Sequence, residues 1–273
     1  MDELQKLRMN LQQCDNIILD ALLIRNQIVE EIMEYKERNG LPIIQPEQEE
    51  RQQIWLETHM EGKPHVKSVT SVFDEIHRNA RKIQGRKLFD FNIVLIGFMG
   101  AGKSTISEYL STQFNMEVVE MDQIIAQREG MSIPDIFEVY GEQYFRDAET
   151  NLLIEMQSRR NVIISCGGGT PLRECNVVEI KKNGKVFFLT AEPETIFERV
   201  KDSHDRPLLE NNKTVDFIAD LMEKRREKYE HACDAIIHTD GKSELEICEE
   251  IIQIILEDRK DDMHYENSSC QRC

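Results

Sequence analysis

Two patterns of apolar residues divide the chain. Residues 2–38 contain no glycine or proline and repeat apolar side chains at heptad spacing, which predicts one long helix with a bundle or coiled-coil seam. Asn-Gly-Leu-Pro at 39–42 is a typical helix end. A second helix is predicted to start near Pro46, and a third over 66–83, after the Gly-Lys-Pro break at 62–64. The seam positions are Leu4, Leu7, Leu11, Cys14, Ile18, Ala21, Ile28, Ile32 and Tyr35.

After residue 90 the pattern changes to short apolar runs that alternate with helical stretches. This alternation predicts a parallel five-stranded sheet flanked by helices, with ligands at the carboxyl ends of the strands. The expected organisation is an all-α three-helix domain at 1–88, an α/β domain at 89–258 and a disordered tail at 259–273. The predicted strands lie at 91–96, 117–122, 161–165, 185–189 and 234–238.

The segment 97–104, Gly-Phe-Met-Gly-Ala-Gly-Lys-Ser, fits the phosphate-binding loop pattern G-x-x-x-x-G-K-[ST] between a predicted strand and a predicted helix. Its glycines let backbone N–H groups converge on phosphate oxygens, and the helix N-terminus adds positive charge there. Lys103 is predicted to reach the β- and γ-phosphates of ATP, and the Ser104 hydroxyl to bind Mg²⁺. The alternative is a glycine-rich turn that opens an ordinary helix.

Further polar features fall near the predicted strand ends. Asp122 closes the second strand, and three glycines at 167–169 follow the third. Arg146 and the acidic Glu149 lie between them in the chain. The polar stretch 202–209, which contains Arg-Pro, is a candidate mobile lid that could bring a guanidinium to a transferring phosphoryl group.

Composition narrows the classes of function. The formal net charge of −17 argues against a nucleic-acid partner, so a phosphate site must be a local basic pocket in an acidic body. There is no apolar signal region and no run long enough to span a membrane. The seven cysteines lack paired spacing and are typical of reduced thiols in a cytoplasmic protein.

Arg25 interrupts the apolar seam of the first helix, and a charge there is costly unless an anion meets it. Lys36 lies on almost the same face about 16 Å further along, whereas Arg8 lies roughly 25 Å before Arg25. No small ligand can touch both arginines within one helix. If both serve one anion site, Arg8 must come from an antiparallel second copy, which predicts a homodimer.

Residues 4–86 resemble the all-helical chorismate mutase family. The resemblance implies an intertwined dimer that converts chorismate to prephenate by electrostatic stabilisation without a covalent step. The residues that carry it are Leu7-Arg8, Asp15, Ile24-Arg25-Asn26, Tyr35-Lys36, Gly40-Leu41-Pro42-Ile43, Pro46-Glu47-Gln48-Glu49-Glu50, Phe73-Asp74-Glu75-Ile76 and Gln84.

The resemblance also implies residue roles in that domain. Arg8 of one chain and Arg25 of the other would bind the two chorismate carboxylates. Lys36 and Gln84 would hydrogen-bond the ether oxygen, and Glu49 the ring hydroxyl. The chain departs from the family pattern at three positions, which leaves a non-catalytic dimerisation or regulatory module as the alternative. These positions are Gln45, Gln48, where the family has a cation, and Ala80, where a small hydroxyl residue is common.

Residues 91–256 resemble shikimate kinase, a P-loop kinase. The resemblance implies transfer of the ATP γ-phosphoryl group to the shikimate 3-hydroxyl. The residues that carry it are Gly97-Phe98-Met99-Gly100-Ala101-Gly102-Lys103-Ser104-Thr105, Met121-Asp122, Ser132-Ile133, Ile136-Phe137, Gly141-Glu142, Phe145-Arg146, Gly167-Gly168-Gly169, Arg206-Pro207-Leu208-Leu209, Arg225 and Tyr229.

In the roles that this resemblance implies, Arg146 and Arg225 clamp the shikimate carboxylate, and Gly168 and Gly169 face its ring. Asp122 accepts a hydrogen bond from the reacting hydroxyl. The metal site would use Ser104 and Glu120, where the family usually has aspartate. The catalytic set is Lys103, Asp122 and Arg206, and the ATP-binding set is Gly100, Ala101, Gly102, Lys103, Ser104, Thr105, Arg199 and Arg206.

Two alternatives to a shikimate kinase stay open at this point. The first is a kinase of the same fold for another small polyol, such as gluconate. The second is a non-catalytic nucleotide-binding module attached to a dimerising helix bundle.

Overall fold

The computed structural model describes residues 2–201 and 214–270, with side chains as far as residue 260. The chain forms two compact units, Met1–Lys87 and Leu88–Cys273. The predicted lid at 202–209, which includes Arg206, lies outside the described residues.

The N-terminal unit consists of the three predicted helices: α1 (Glu3–Asn39), α2 (Pro46–Met60) and α3 (Val66–Leu88). α1 ends at Gly40, whose left-handed backbone (φ 60°) stops the helix. α2 starts with proline at its first position, where a missing N–H costs nothing. The small core of the unit contains Val29, Met33, Ile43, Ile44, Leu56 and Ala80.

Every position of the predicted apolar seam of α1 is exposed in this unit. Leu11 is 62% exposed and Ile18 is 55% exposed, whereas Val29 and Met33 are the buried side chains of this helix. A helix of 37 residues with two buried side chains leaves a long unpartnered apolar face.

The second unit is an α/β fold, as predicted. All paired strands are parallel, and the sheet has the order β2-β3-β1-β4-β5. The strands are β1 (Asn92–Ile96), β2 (Glu117–Glu120), β3 (Val162–Ser165), β4 (Gly184–Thr190) and β5 (Ala235–His238). The helices are α4 (Lys103–Phe114), α5 (Met121–Glu129), α6 (Ile133–Met156), α7 (Glu174–Asn183), α8 (Pro193–Val200), α9 (Val215–Ala232) and α10 (Glu244–Cys270), with a short 3-10 helix at Thr170–Leu172.

The register of the sheet places the loops that follow β1, β2 and β3 together at the carboxyl ends of the strands. Glu120 at the end of β2 pairs with Ser165 at the end of β3, and Ser165 pairs with Leu95 of β1. Every residue of β1 and β3 is buried, as expected for central parallel strands. The residues that follow these strands therefore emerge side by side.

Three local features do not follow from the sequence analysis. β2 ends at Glu120, so Asp122 lies in the first turn of α5 rather than at the end of a strand. α6 contains a kink at Gly141, whose backbone (φ 83°, ψ 166°) is not helical. α10 (Glu244–Cys270) runs into the segment 259–273 that the sequence analysis assigns to a tail, and the disorder of that tail stays a prediction.

Among the described residues, no helix combines the length and the apolar character that a membrane crossing requires.

Candidate active site

The phosphate-binding loop connects β1 to α4. Gly100 has a left-handed backbone (φ 78°), and a Cβ atom there would lie 2.7 Å from Val200, so glycine is required twice over. The Lys103 ammonium group donates to the backbone carbonyls of Gly97 (2.9 Å) and Phe98 (3.1 Å). The lysine is thus folded back over the loop, where its charge faces the concavity that backbone N–H groups line.

Arg199 on α8 holds one side of this loop. Its Nη1 donates to the Gly100 carbonyl and to the Thr239 hydroxyl, each at 3.1 Å. Thr239 follows β5 and is 2% exposed, so the arginine ties the loop to the far side of the sheet. Arg199, which the resemblance assigns to the ATP-binding set, therefore contacts the phosphate-binding loop.

On the other side of the cleft, α6 supplies Arg146. Its guanidinium donates from Nη1 to Glu149 (2.7 Å) and from Nη2 to Glu142 (3.1 Å), and lies over the rings of Phe137 and Phe145. Although burial by itself disfavours the charge, the two carboxylates raise the pKa of Arg146. The arginine is therefore a permanently charged group in a fixed orientation.

Glu149 is fully buried beneath this arginine. It accepts from Arg146 on one oxygen and from the Thr170 hydroxyl on the other. Burial raises the pKa of Glu149, the nearby Asp122 charge adds to this, and Arg146 and Thr170 oppose it. Glu149 thus holds the guanidinium through Nη1, while Nε and Nη2 donate to Glu142 Oε1 at 3.2 and 3.1 Å, and the arginine lines the cleft between these contacts.

Two of the three glycines at 167–169 are explained by these side chains. A Cβ atom at Gly167 would lie 2.5 Å from an Asp122 oxygen, and one at Gly169 would lie 2.2 Å from the Arg146 guanidinium. At Gly168 the nearest atoms are 3.7 Å away, an ordinary contact. Two of the glycines therefore make room for charged side chains of the site itself.

α9 brings the second arginine. Arg225 lies 5.8 Å above the Phe98 ring, one turn before Tyr229. The Tyr229 hydroxyl donates to the Gly168 carbonyl (2.5 Å), and its ring stacks on Phe188. Tyr229 thus fixes the glycine turn and α9 relative to each other.

These residues surround one cleft of about 950 Å³. Among the predicted site residues of this unit, Ala101 is buried beside the cleft and Arg206 lies outside the described residues. Those that line the cleft are Gly100, Gly102, Lys103, Ser104, Thr105, Glu120, Asp122, Arg146, Gly168, Gly169, Arg199 and Arg225.

Ser104 and Glu120 form the candidate magnesium side of the cleft. The Ser104 hydroxyl donates to Glu120 Oε2 at 3.2 Å, and both side chains line the cleft beside Lys103. A hydroxyl and a carboxylate are the hard oxygen donors that Mg²⁺ accepts, and such ions usually take only one or two protein ligands besides phosphates and water. The donor set therefore fits the ion.

In the helical unit, the predicted chorismate-binding residues differ in their exposure and hydrogen bonding. Arg8 is exposed near the start of α1. Arg25 is half-buried, and its Nη1 has no hydrogen-bond partner among the described residues. Lys36 donates to the Ile43 carbonyl (2.8 Å), and Gln84 is half-buried on α3.

Arg81 is a functional candidate that the sequence analysis missed. Its Nη1 lies 3.4 Å from Glu49 Oε2, and its buried Nε has no hydrogen-bond partner in the part of the chain that the structure describes. Burial lowers the pKa of the neighbouring His77, and the charges of Arg25 and Arg81 lower it further. Arg25 and Arg81 therefore form one cationic region around His77. In the sequence, Arg81 directly follows Ala80, a position already compared with the family pattern, and this proximity could have indicated it.

Glu149, Thr239 and Tyr229 are positioning residues to which the sequence analysis gave no role. A usable signal existed for Glu149, because it lies three residues after Arg146 on a predicted helix and so on the same face. No local pattern marks Thr239, since its partner Arg199 is brought to it only by the fold.

A phosphate-binding loop that opens into the same cleft as two arginines and an aspartate defines a class of protein. The class is a P-loop phosphotransferase that acts on a small hydroxylated acid. Comparison with known proteins gives the family. Residues 99–256 match the family model of shikimate kinase, and residues 7–85 match that of chorismate mutase type II. The chain belongs to the shikimate kinase family, and the segment that matches chorismate mutase type II precedes the kinase match.

Individual relatives agree with this assignment. The shikimate kinase of Persephonella marina is 42% identical over 161 residues, which are 59% of this chain and 96% of the relative. The Acinetobacter baumannii shikimate kinase solved with shikimate is 32% identical (TM-score 0.59) and covers 62% of this chain and 94% of its own. The Aquifex aeolicus enzyme is 37% identical (TM-score 0.53), with 62% and 98% covered. Members of this family use ATP as co-substrate.

Proposed function

We propose that the C-terminal unit transfers the γ-phosphoryl group of ATP to the 3-hydroxyl of shikimate, and that the N-terminal unit converts chorismate to prephenate. The observation that carries the first activity is the Arg146 guanidinium, buried on Glu149 and aimed at the cleft that the phosphate-binding loop also lines. A carboxylate substrate is the natural ligand of such a fork.

In the proposed reaction, Arg146 and Arg225 bind the shikimate carboxylate from two helices. This fixes the ring so that its 3-hydroxyl faces Asp122, which accepts a hydrogen bond and draws off the proton as the oxygen attacks the γ-phosphorus and the bond to the leaving ADP breaks. Lys103 and Arg206 balance the charge on the transferred group. Asp122 lies against Gly167, since a Cβ atom at Gly167 would be 2.5 Å from the Asp122 carboxylate. This proximity supports the arrangement, because the proposed shikimate ring faces the same glycine turn.

Magnesium belongs to this proposal as well. Ser104 and Glu120 would hold the ion, directly or through water, beside the β- and γ-phosphates. When bound, Mg²⁺ neutralises phosphate charge. Lys103 and the loop amides bind the nucleotide and align it for the transfer.

The kinase proposal is tested by ADP release from the purified full chain with ATP and Mg²⁺. Shikimate is expected to stimulate ADP release, and gluconate, offered at the same concentration, is not. Faster turnover of gluconate than of shikimate would favour the alternative, a kinase for another small polyol. If the folded chain shows no substrate-dependent release of ADP, the alternative of a non-catalytic nucleotide-binding module is favoured.

The mutase proposal is supported by the cationic region of Arg25 and Arg81. Two buried guanidinium N–H groups without partners are costly unless an anion meets them. Chorismate carries two carboxylates and gains negative charge on its ether oxygen during the rearrangement. Fixed cations and the Gln84 amide would stabilise that charge.

A homodimer completes this site in our proposal. Arg8 lies too far along α1 to serve the same ligand as Arg25 within one chain. The exposed seam of α1 is the surface that a second, antiparallel copy would cover. Sedimentation should give twice the monomer mass, and Leu11→Glu together with Ile18→Glu should shift the full chain toward monomer and remove mutase activity. A monomeric wild type with full mutase activity would refute the dimer.

Direct measurement of chorismate consumption tests the second activity. Turnover by the full chain supports a mutase, whereas binding and turnover both absent from a folded dimer would favour a dimerisation or regulatory module. Gln48, which lacks the cation usual in the family, predicts a weaker enzyme than relatives that have it.

A further inference from the structure

Ser107 on α4 contacts the candidate magnesium ligand from beneath. Its side chain is 0% exposed, and its hydroxyl lies 2.8 Å from Glu120 Oε1 and 2.9 Å from the Ser104 carbonyl oxygen. The other oxygen of the same carboxylate, Oε2, accepts from the Ser104 hydroxyl at 3.2 Å. Two serines separated by one turn of α4 therefore bind the two oxygens of a single glutamate.

The hydroxyl of Ser107 has one proton and two acceptors within reach. A carboxylate is the stronger acceptor, so the bond to Glu120 is the charge-assisted one. Glutamate has one more rotatable bond than aspartate and samples more orientations when it is unrestrained. A buried donor at Oε1 removes that freedom and leaves Oε2 facing Ser104 and the cleft. Ser104 and Glu120 both line this cleft.

We propose that Ser107 is a positioning residue for the metal–nucleotide site. It holds the Glu120 carboxylate so that Oε2 and the Ser104 hydroxyl face the position of the metal ion together. The inference rests on the proposed role of Ser104 and Glu120 as the magnesium side of the cleft. It explains how a longer acidic side chain can serve at this position.

The test is Ser107→Ala in the full chain, with Mn²⁺ as the probe ion, since it prefers the same oxygen ligands as Mg²⁺. Free Mn²⁺ is measured by electron paramagnetic resonance in a titration of the enzyme–ADP complex. We expect Mn²⁺ to bind about tenfold more weakly, because a hydrogen bond to a charged group is lost. Shikimate affinity, measured by calorimetry, should stay unchanged. Thermal unfolding without nucleotide verifies that the variant is folded.

Ser111→Ala is the matched control. Ser111 lies one turn further along α4, is half-buried and donates its hydroxyl to the Met116 carbonyl at 2.6 Å. This variant removes the same group from the same helix without touching Glu120, and its Mn²⁺ affinity should equal that of wild type. Equal Mn²⁺ affinities for Ser107→Ala and wild type would overturn the inference, as would an equal loss in both serine variants.

Glu120→Gln separates this inference from the proposed function. If Glu120→Gln weakens Mn²⁺ binding and Ser107→Ala adds no further loss to it, the two residues act as one unit, as we infer. If Ser107→Ala costs the same in both backgrounds, Ser107 does not act through Glu120 and the inference fails alone. If Glu120→Gln leaves Mn²⁺ binding at the wild-type level, the metal role of Glu120 fails, and the inference with it.

Discussion

Gly169→Ala should impair shikimate use while leaving the protein folded. The added Cβ atom would lie 2.2 Å from Arg146 Nη1 and 2.4 Å from its Cζ. Contacts between non-bonded atoms are normally about 3.5 to 4 Å, so the guanidinium must retreat by roughly 1.5 Å. Gly169 itself has no left-handed backbone, since its φ is −99°, and alanine therefore brings no backbone strain.

The magnitude follows from what holds Arg146 in place. Its Nη1 is 2.7 Å from the buried Glu149, and its side chain is 12% exposed, so retreat breaks a charge-assisted hydrogen bond and misplaces the substrate clamp. A displacement of about 1 Å at a substrate-positioning group can cost on the order of 10²-fold. We expect kcat/KM for shikimate to fall by about that factor, with the KM for ATP within about twofold of wild type by the same reasoning.

A double-mutant cycle with Arg146→Ala decides whether the methyl group acts through the arginine. If it does, Gly169→Ala should add almost nothing once the guanidinium is gone. Gly168→Ala provides the neighbouring comparison, because its Cβ atom would meet only ordinary contacts at 3.7 Å or more and should cost less. Wild-type kcat/KM in Gly169→Ala, or a full loss added to Arg146→Ala, would refute this reasoning.

Three further variants test other parts of the chain. Lys103→Met should abolish shikimate-dependent ADP release with an unchanged circular dichroism spectrum, and residual release near the wild-type rate would contradict the phosphate role of this lysine. Arg25→Ala should remove chorismate turnover, whereas Arg78→Ala, which changes an exposed arginine paired with a neighbouring glutamate, should not. The pKa of His77, followed by NMR, should lie below its ordinary value of 6.5 because burial, Arg25 and Arg81 all disfavour the imidazolium. Arg81→Ala removes one nearby positive charge and should raise that pKa, and an unchanged value would separate Arg81 from this region.

Much of the α/β unit could be predicted from local sequence. The segment 97–104 contains both its glycines and its Lys-Ser pair within eight residues, and the flanking strand and helix are marked by their own apolar periodicity. The parallel sheet and the common carboxyl end of its strands follow from alternation and from the handedness of crossovers, whereas the strand order comes from the structure alone. These features depend on short segments whose preferences agree with the fold.

The boundaries and partners within the site were less predictable. The apolar run at 117–122 predicted a strand through Asp122, but the chain turns into α5 after Glu120, which changes the direction from which Asp122 enters the cleft. The glycines at 167–169 suggested close approach of a ligand. At Gly167 and Gly169 the structure gives a further reason, the bulk of Asp122 and Arg146.

By itself, the sequence of this chain determined the two-part organisation, the parallel sheet, the nucleotide loop and the kind of chemistry, because periodicity and short motifs report local backbone geometry. The tertiary structure alone decided which side chains meet across long separations: Arg199 with Thr239, Arg81 with Glu49, and Ser107 with Glu120. These pairs depend on helix packing and strand register, where a shift of one residue turns a side chain to another face. No single segment contains that information.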